Sequence, residues 1–265
     1  MDLILLLKAF IQGIVEGATE FLPISSTGHL IIVGDLLQFN DDKAKVFDIV
    51  IQLAAILAVC WEYRRKLLDT AFHISSQSKA QNFVLNLFIA FLPAALLGLA
   101  FHGQIKEYLF SPLTVAVALI IGGIAILAIE QMPLKGKTVS IDAMSRKQAL
   151  QIGLAQAAAL IPGVSRSGAT ILGGMLFGLN RRTATEFSFF LAIPIMFAAT
   201  AYDLLKSWQL LSVDDLAMFA VGFVTSFISA LVAIKFLLRF VANHDFKIFA
   251  WYRIALGLIV IWYFK

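Results

Sequence analysis

Two stretches of the chain are variants of one another, and each sets polar, proline-broken backbone inside an apolar segment. Residues 12–40 read QGIVEGATEFLPISSTGHLIIVGDLLQFN, and residues 152–180 read IGLAQAAALIPGVSRSGATILGGMLFGLN. An offset of 140 relates Gly13 to Gly153, Glu16 to Gln156, Gly28 to Gly168, Gly34 to Gly174 and Asn40 to Asn180, while the proline slips by one, from Pro23 to Pro162. Irregular backbone surrounded by hydrocarbon is costly unless it is buried in protein or lines a cavity. Two related copies therefore point to a site between them.

The surroundings of these inserts identify the solvent. Sixty per cent of the residues are hydrophobic, 14% are charged and the mean hydropathy is +0.87, where a soluble chain would carry about a quarter charged residues. The expected fold class is an all-α polytopic membrane protein with one membrane domain over residues 1–265, since no polar block is long enough for a soluble domain. An acid at position 2 and the lack of a small-residue cleavage site argue against a cleaved signal peptide. The lone Cys60 leaves no disulfide framework and reads as an inert buried thiol. The net charge of +4 is spread over loops, so no nucleic-acid partner is expected.

Hydropathy gives six stretches long enough to cross a bilayer, near 46–62, 82–101, 112–131, 185–205, 216–237 and 248–264. The two opening segments differ: each is a pair of arms too short to span, which suits a re-entrant helix hairpin. With hairpins that return to their own side, one face carries Lys43, Lys45, Lys106, Lys206 and Lys265, and the other carries thirteen Lys and Arg from the loops near 63–81, 132–147, 181–182 and 235–247. The rich face is expected to be cytoplasmic, with both termini outward. One hairpin plus three spans per repeat makes the second repeat, about 147–265 with its hairpin at 147–179, inverted relative to the first, about 1–131 with its hairpin at 1–39.

The first tip carries acids and hydroxyls. Glu16 and Glu20 are spaced i, i+4 on one helical face, and acids at membrane depth mark a pathway, a proton relay or an ion site, unless they lie at the interface. A divalent cation, Mg2+ or Ca2+, held by Glu16 and Glu20 would relieve their repulsion and bridge protein to phosphate. Pro23 breaks the arm, and Ser25, Ser26 and Thr27 open the next, where serines also serve as N-caps. The fresh helix N-terminus suits an anion such as phosphate. His29, three residues beyond Ser26, is an acid/base candidate toward that hydroxyl, with a structural histidine as the alternative.

The second tip carries the cation. Arg166 lies between Ser165 and Ser167, and its planar fork fits phosphate oxygens or a resting-state carboxylate. Gly163 and Gly168 give the backbone room to approach a ligand. Ser25, Thr27, Ser165, Ser167, Gly168 and Arg166 are the candidate phosphate-binding set. Asp48 and Gln52, one turn apart, are candidates for the cavity wall. Arg253 reads as a cytoplasmic snorkelling residue, Lys8 has no evident partner, and His73, His102 and His244 form no metal-ligand spacing.

At EGATEFLPISSTGH, residues 16–29, and PGVSRSGAT, residues 162–170, the chain resembles the bacterial undecaprenyl-diphosphate phosphatases, also called bacitracin resistance proteins. The resemblance spans essentially the whole chain. It implies hydrolysis of a C55 isoprenoid diphosphate to its monophosphate, a divalent metal requirement, and a site open to the outer face of the plasma membrane. The residues it carries over are Glu16, Glu20, Ser26, His29 and Arg166. In the role assignment that follows, Ser26 attacks phosphorus, His29 serves as acid/base, Glu16 and Glu20 hold metal or manage protons, and Arg166 neutralises charge. Water as nucleophile is the competing version. The partners expected are the polyprenyl diphosphate and membrane lipids, with room for a homodimer. The rival class is a polyprenyl-phosphate transporter or flippase using the same cavity.

Overall fold

A computed structural model describes residues 3–109, 111–207, 209 and 215–264. Among them are eleven α-helices, two short 3-10 helices and no strand: α1 (Leu3–Thr19), α2 (Ser26–Leu36), α3 (Asp42–Glu62), α4 (Arg64–His73), α5 (Ser78–Tyr108), α6 (Pro112–Glu130), α7 (Arg146–Ala157), α8 (Arg166–Leu176), α9 (Arg181–Ser207), α10 (Leu216–Phe240) and α11 (Lys247–Tyr263). Five of them, α3, α5, α6, α9 and α10, are long and apolar enough to cross a membrane. The sixth expected span is α11, a helix of 17 residues. The protein is a multi-pass membrane protein.

Two connections differ from expectation. The loop expected at 102–111 is helical to Tyr108, past a kink at Phe101 (φ −116°, ψ 15°). Gln104, Lys106 and Glu107 are good helix formers, and no proline intervenes before Pro112. Beyond the first span, α3, Arg64–His73 forms α4 rather than loop. The loop expected at 206–215 lies mostly outside the described residues, as do Lys265 and the side chains of His102 and Lys106.

The two broken segments are helix pairs, α1–α2 and α7–α8, and α2 and α8 occupy ranges 140 apart (26 to 166, 36 to 176). α1 packs along α10, and α7 packs along α5. In lipid the close approach of helices depends on small residues rather than on water exclusion. A Cβ at Gly13 would fall 2.6 Å from Gly222 O, and one at Gly17 would fall 2.2 Å from Ser226 O. Gly153, the counterpart of Gly13, does the same for α7, where a Cβ would stand 2.5 Å from Ala90 O. At the open end of the first hairpin, the Lys8 ammonium donates to Gln38 O across 3.3 Å, which supplies the partner the sequence did not reveal.

Both tips are anchored by one side chain. Arg253 does not snorkel: it is 1% exposed in the interior, against α6 and between the tips. Its Nη1 donates to Pro23 O (3.1 Å) and Val164 O (2.9 Å), and its Nη2 to Gly163 O (3.0 Å) and Ala118 O (3.2 Å). Nε donates to Leu119 O at 3.3 Å. All five guanidinium N–H groups therefore meet backbone carbonyls, three of them freed by the breaks in the hairpins. A Cβ at Gly122 would fall 2.0 Å from Nη2, so that glycine makes the space the head group fills.

An ammonium has three donors and no fork, and each buried carbonyl left without a donor costs about 1–3 kcal/mol. Arg253→Lys is therefore expected to lower the thermal unfolding midpoint in detergent and to reduce turnover together. A variant with unchanged midpoint and unchanged turnover would remove Arg253 from this role.

Candidate active site

The chain after α1 turns at Pro23 and re-enters helix at Ser26 through Ser25, whose backbone lies in the left-handed region (φ 69°, ψ 97°). The second tip repeats this shape at the position 140 residues on, with Ser165 at φ 74°, ψ 112°. Such conformations cost of order 1–3 kcal/mol each in a non-glycine residue and persist only where the surroundings enforce them. They make Ser26 and Arg166 the first residues of α2 and α8, with the two helix N-termini brought together.

Glu20 joins the tips. Its Oε1 accepts from Arg166 Nη2 at 2.9 Å, and its Oε2 accepts a short hydrogen bond from Ser26 Oγ. Arg166 Nη1 also donates to Ser188 O at 3.2 Å, and the guanidinium lies over the Phe21 ring, 5.7 Å from its centroid. Phe21 is itself fully buried against Phe189, edge to face at 5.5 Å. The serine hydroxyl is thus already directed at a carboxylate, and that carboxylate at a fixed cation.

His29 faces elsewhere. Nδ1 lies 2.8 Å from Ser25 O, and Nε2 lies 2.6 Å from the Tyr252 hydroxyl, whose ring is stacked beside the imidazole at 5.6 Å. A carbonyl can only accept, so Nδ1 carries hydrogen, and the neutral ring's Nε2 accepts from Tyr252. His29 therefore pins the carbonyl of the left-handed Ser25, while the Ser26 hydroxyl goes to Glu20.

Of the expected phosphate-binding set, Ser25, Thr27, Ser165 and Arg166 line a cavity of about 180 Å³ with Glu20, Ser26, Gln52 and Gly163. Ser167 and Gly168 are not in its wall. Ser167 Oγ donates to Leu22 O (2.7 Å), tying the second tip to the first, and Gly168 N caps onto Ser165 Oγ (3.1 Å). A wider cavity of about 480 Å³ shares Ser26, Thr27 and Gln52 with the inner one and continues past Glu16 and Asp48. Its far walls include Asn40, Lys45, Pro112 and Phe264, so it opens at the end of the bundle where α3 and α6 begin and α11 ends. Asp48 and Gln52 do line the cavity.

Glu16 is fully buried, and neither of its carboxylate oxygens has a hydrogen-bond partner among the described residues. Glu16 and Glu20, adjacent on one helical face, thus have different surroundings. Two positions that hold the tips escaped sequence reasoning: Tyr252, one of two tyrosines in an aromatic-rich span, and Arg253. Nothing in the local pattern distinguishes either from an interfacial residue.

Comparison with known proteins gives the family of the chain. A family model described as bacitracin resistance protein BacA matches residues 9–259. The undecaprenyl-diphosphatase of Methylobacillus flagellatus is 65% identical over 269 aligned positions, covering 100% of both chains. That of Nitrosospira multiformis is 64% identical over 98% of this chain and 96% of its own. Undecaprenyl-diphosphatase 1 of Burkholderia cenocepacia is 56% identical over the same shares. With similarity of this depth running from end to end, the chain belongs to the bacitracin resistance protein BacA family.

Proposed function

We propose that this protein hydrolyses undecaprenyl diphosphate to undecaprenyl phosphate and phosphate, which regenerates the lipid carrier for peptidoglycan and confers bacitracin resistance. Relatives 56–65% identical bear the name of that activity. The observation that carries the reading is Glu20 held between the Ser26 hydroxyl and Arg166 at the inner cavity. Ser26 Oγ attacks the terminal phosphorus, its proton passes to Glu20, and the bridging P–O bond breaks to release undecaprenyl phosphate. Water then hydrolyses the phosphoserine and restores the hydroxyl. Arg166 and the N–H groups at the starts of α2 and α8 take the phosphoryl charge, with Ser25, Thr27 and Ser165 as neighbouring ligands. His29, held by Tyr252, keeps the Ser25 turn in shape, and the acid/base work falls to Glu20.

A divalent ion, Mg2+ or Ca2+, belongs to the proposal. The donor set fits, because Glu16 presents a buried carboxylate with no protein donor. Glu20, the second expected ligand, is already shared by Ser26 and Arg166. When bound, such an ion neutralises phosphate charge.

The transporter reading is not favoured. The relatives are named for phosphatase activity, and the carboxylate best placed to shuttle protons is committed to a serine hydroxyl.

For the arrangement in the bilayer we propose six spans, α3, α5, α6, α9, α10 and α11, plus re-entrant hairpins α1–α2 and α7–α8 in two inverted repeats. The bias of positive charge supports it. So does the cavity mouth, which sits at the lysine-poor end beside Asn40 and Phe264. The site then opens outward, and both termini face outward.

Purified protein should release phosphate from undecaprenyl diphosphate, and a rapid quench should trap phosphate on Ser26. Ser26→Ala is expected to lower kcat by about 10³-fold or more, and substantial residual turnover would sink the serine mechanism. Glu20→Gln should cost about 10²–10⁴-fold. By contrast, His29→Gln and Tyr252→Phe should cost roughly tenfold, the scale of one lost hydrogen bond, with the acidic limb of the pH–rate profile kept. Loss of that limb in His29→Gln would return the base role to histidine. In a Cys60→Ala background, Asn40→Cys should react with an impermeant maleimide added outside intact cells and Lys137→Cys should not. The reverse pattern would invert the topology.

A further inference from the structure

Glu16 is not the only buried oxygen group left without a donor. Asp48 Oδ1, on α3 across the same cavity, has no hydrogen-bond partner either. Nor does Gln12 Oε1, one turn before Glu16 on α1 and 1% exposed. Glu16 and Asp48 both line that cavity. The guanidinium that could separate them is engaged with Glu20, and Lys45, the basic residue of the cavity wall, is exposed at its mouth. Carboxylate oxygens buried in one cavity with no donor are costly, and a fold retains them where something absent from the polypeptide completes the site.

We propose that Glu16 and Asp48 form a divalent-cation site beside the Ser26–Glu20–Arg166 cluster, with Asp48 as the ligand that the first repeat's motif does not contain. The ligand chemistry is all oxygen, which selects a hard cation such as Mg2+ or Ca2+ over a softer metal. Among the described residues no group of three His, Cys, Asp or Glu side chains is arranged to hold a metal. Two carboxylates are enough for an ion that keeps several waters and completes its shell with substrate phosphate oxygens. Ser26 lines the same cavity as Glu16 and Asp48, so an ion there adjoins the position of the terminal phosphate. The acids of the motif then divide: Glu16 pairs with Asp48 for the cation, and Glu20 serves the hydroxyl. Only what the ion does rests on the phosphatase reading; its binding does not.

The test uses full-length protein in detergent, stripped with EDTA and titrated calorimetrically with CaCl2 or MgCl2 without substrate, alongside a phosphate-release assay on the same preparations. Wild type is expected to bind one ion per chain. Glu16→Gln and Asp48→Asn should each weaken binding at least tenfold, while Glu20→Gln should shift it less than threefold despite its loss of turnover. In EDTA, where no ion offsets the two acids and the substitution removes one charge, Asp48→Asn should unfold at a midpoint no lower than wild type. Wild-type affinity in Asp48→Asn would overturn the proposal, as would equal losses in Glu20→Gln and Glu16→Gln. A lower midpoint of Asp48→Asn in EDTA would overturn it as well, by making Asp48 a structural acceptor. Wild type that releases phosphate yet binds neither ion would leave the phosphatase standing and remove the cation site.

Discussion

Backbone broken inside an apolar bundle persists only where its carbonyls find donors, and Arg253 supplies donors to both breaks at once. Its guanidinium reaches Pro23 O in one tip and Gly163 O and Val164 O in the other, with the remaining donors on α6. A buried cation with no carboxylate beside it is normally costly; here the carbonyl dipoles of two interrupted helices take the place of a counter-ion. The geometry that follows depends on this grip. Ser165 adopts a left-handed conformation directly after the held Val164 and Ser25 does so two residues after the held Pro23, and those turns put Ser26 and Arg166 at the helix starts.

The neighbour of Arg253 on α11 extends the same support. Tyr252 donates to His29, and His29 donates to the carbonyl of the strained Ser25. One turn of α11 therefore fixes the first tip's turn from two directions, through carbonyl capture and through the imidazole. The first tip needs this second support because Ser25 makes no side-chain cap, whereas Ser165 caps its own helix by accepting from Gly168 N. Ser25 remains in the cavity wall. A self-capped tip holds Arg166, and an externally held tip leaves Ser25, Ser26 and Thr27 on the cavity wall.

Much of this was legible in the sequence. The doubled insert, its spacing of 140 and the small residues around it already specified two helix pairs and their tips, because a period in the chain is also a period in the backbone it can form. Gly13 and Gly153 illustrate it, each admitting a different neighbour, α10 or α5, at the same point of its helix. The polar lining of the two cavities was legible too, since Glu16, Glu20, Ser26 and Arg166 are residue types that hydrocarbon does not tolerate without a purpose. Sequence placed Asp48 and Gln52 as wall candidates on spacing alone, and both line the cavity.

What sequence could not decide was which polar group meets which. Helical spacing equates Glu16 with Glu20, yet the turn at Pro23 gives Glu20 a serine and α8 gives it an arginine, while Glu16 shares the wider cavity with Asp48. Spacing also puts His29 on the face of Ser26, while α11 brings a tyrosine to it from 223 residues away. Arg253 reads as a surface cation near a helix start and becomes interior because Gly122 on α6 leaves room for it. The sequence by itself determined which polar residues enter the membrane and where the helices break, since burial of charge and loss of backbone bonds are local costs. Only the tertiary structure decided their pairings, since a hydrogen bond joins atoms that distant helices bring within about 3 Å.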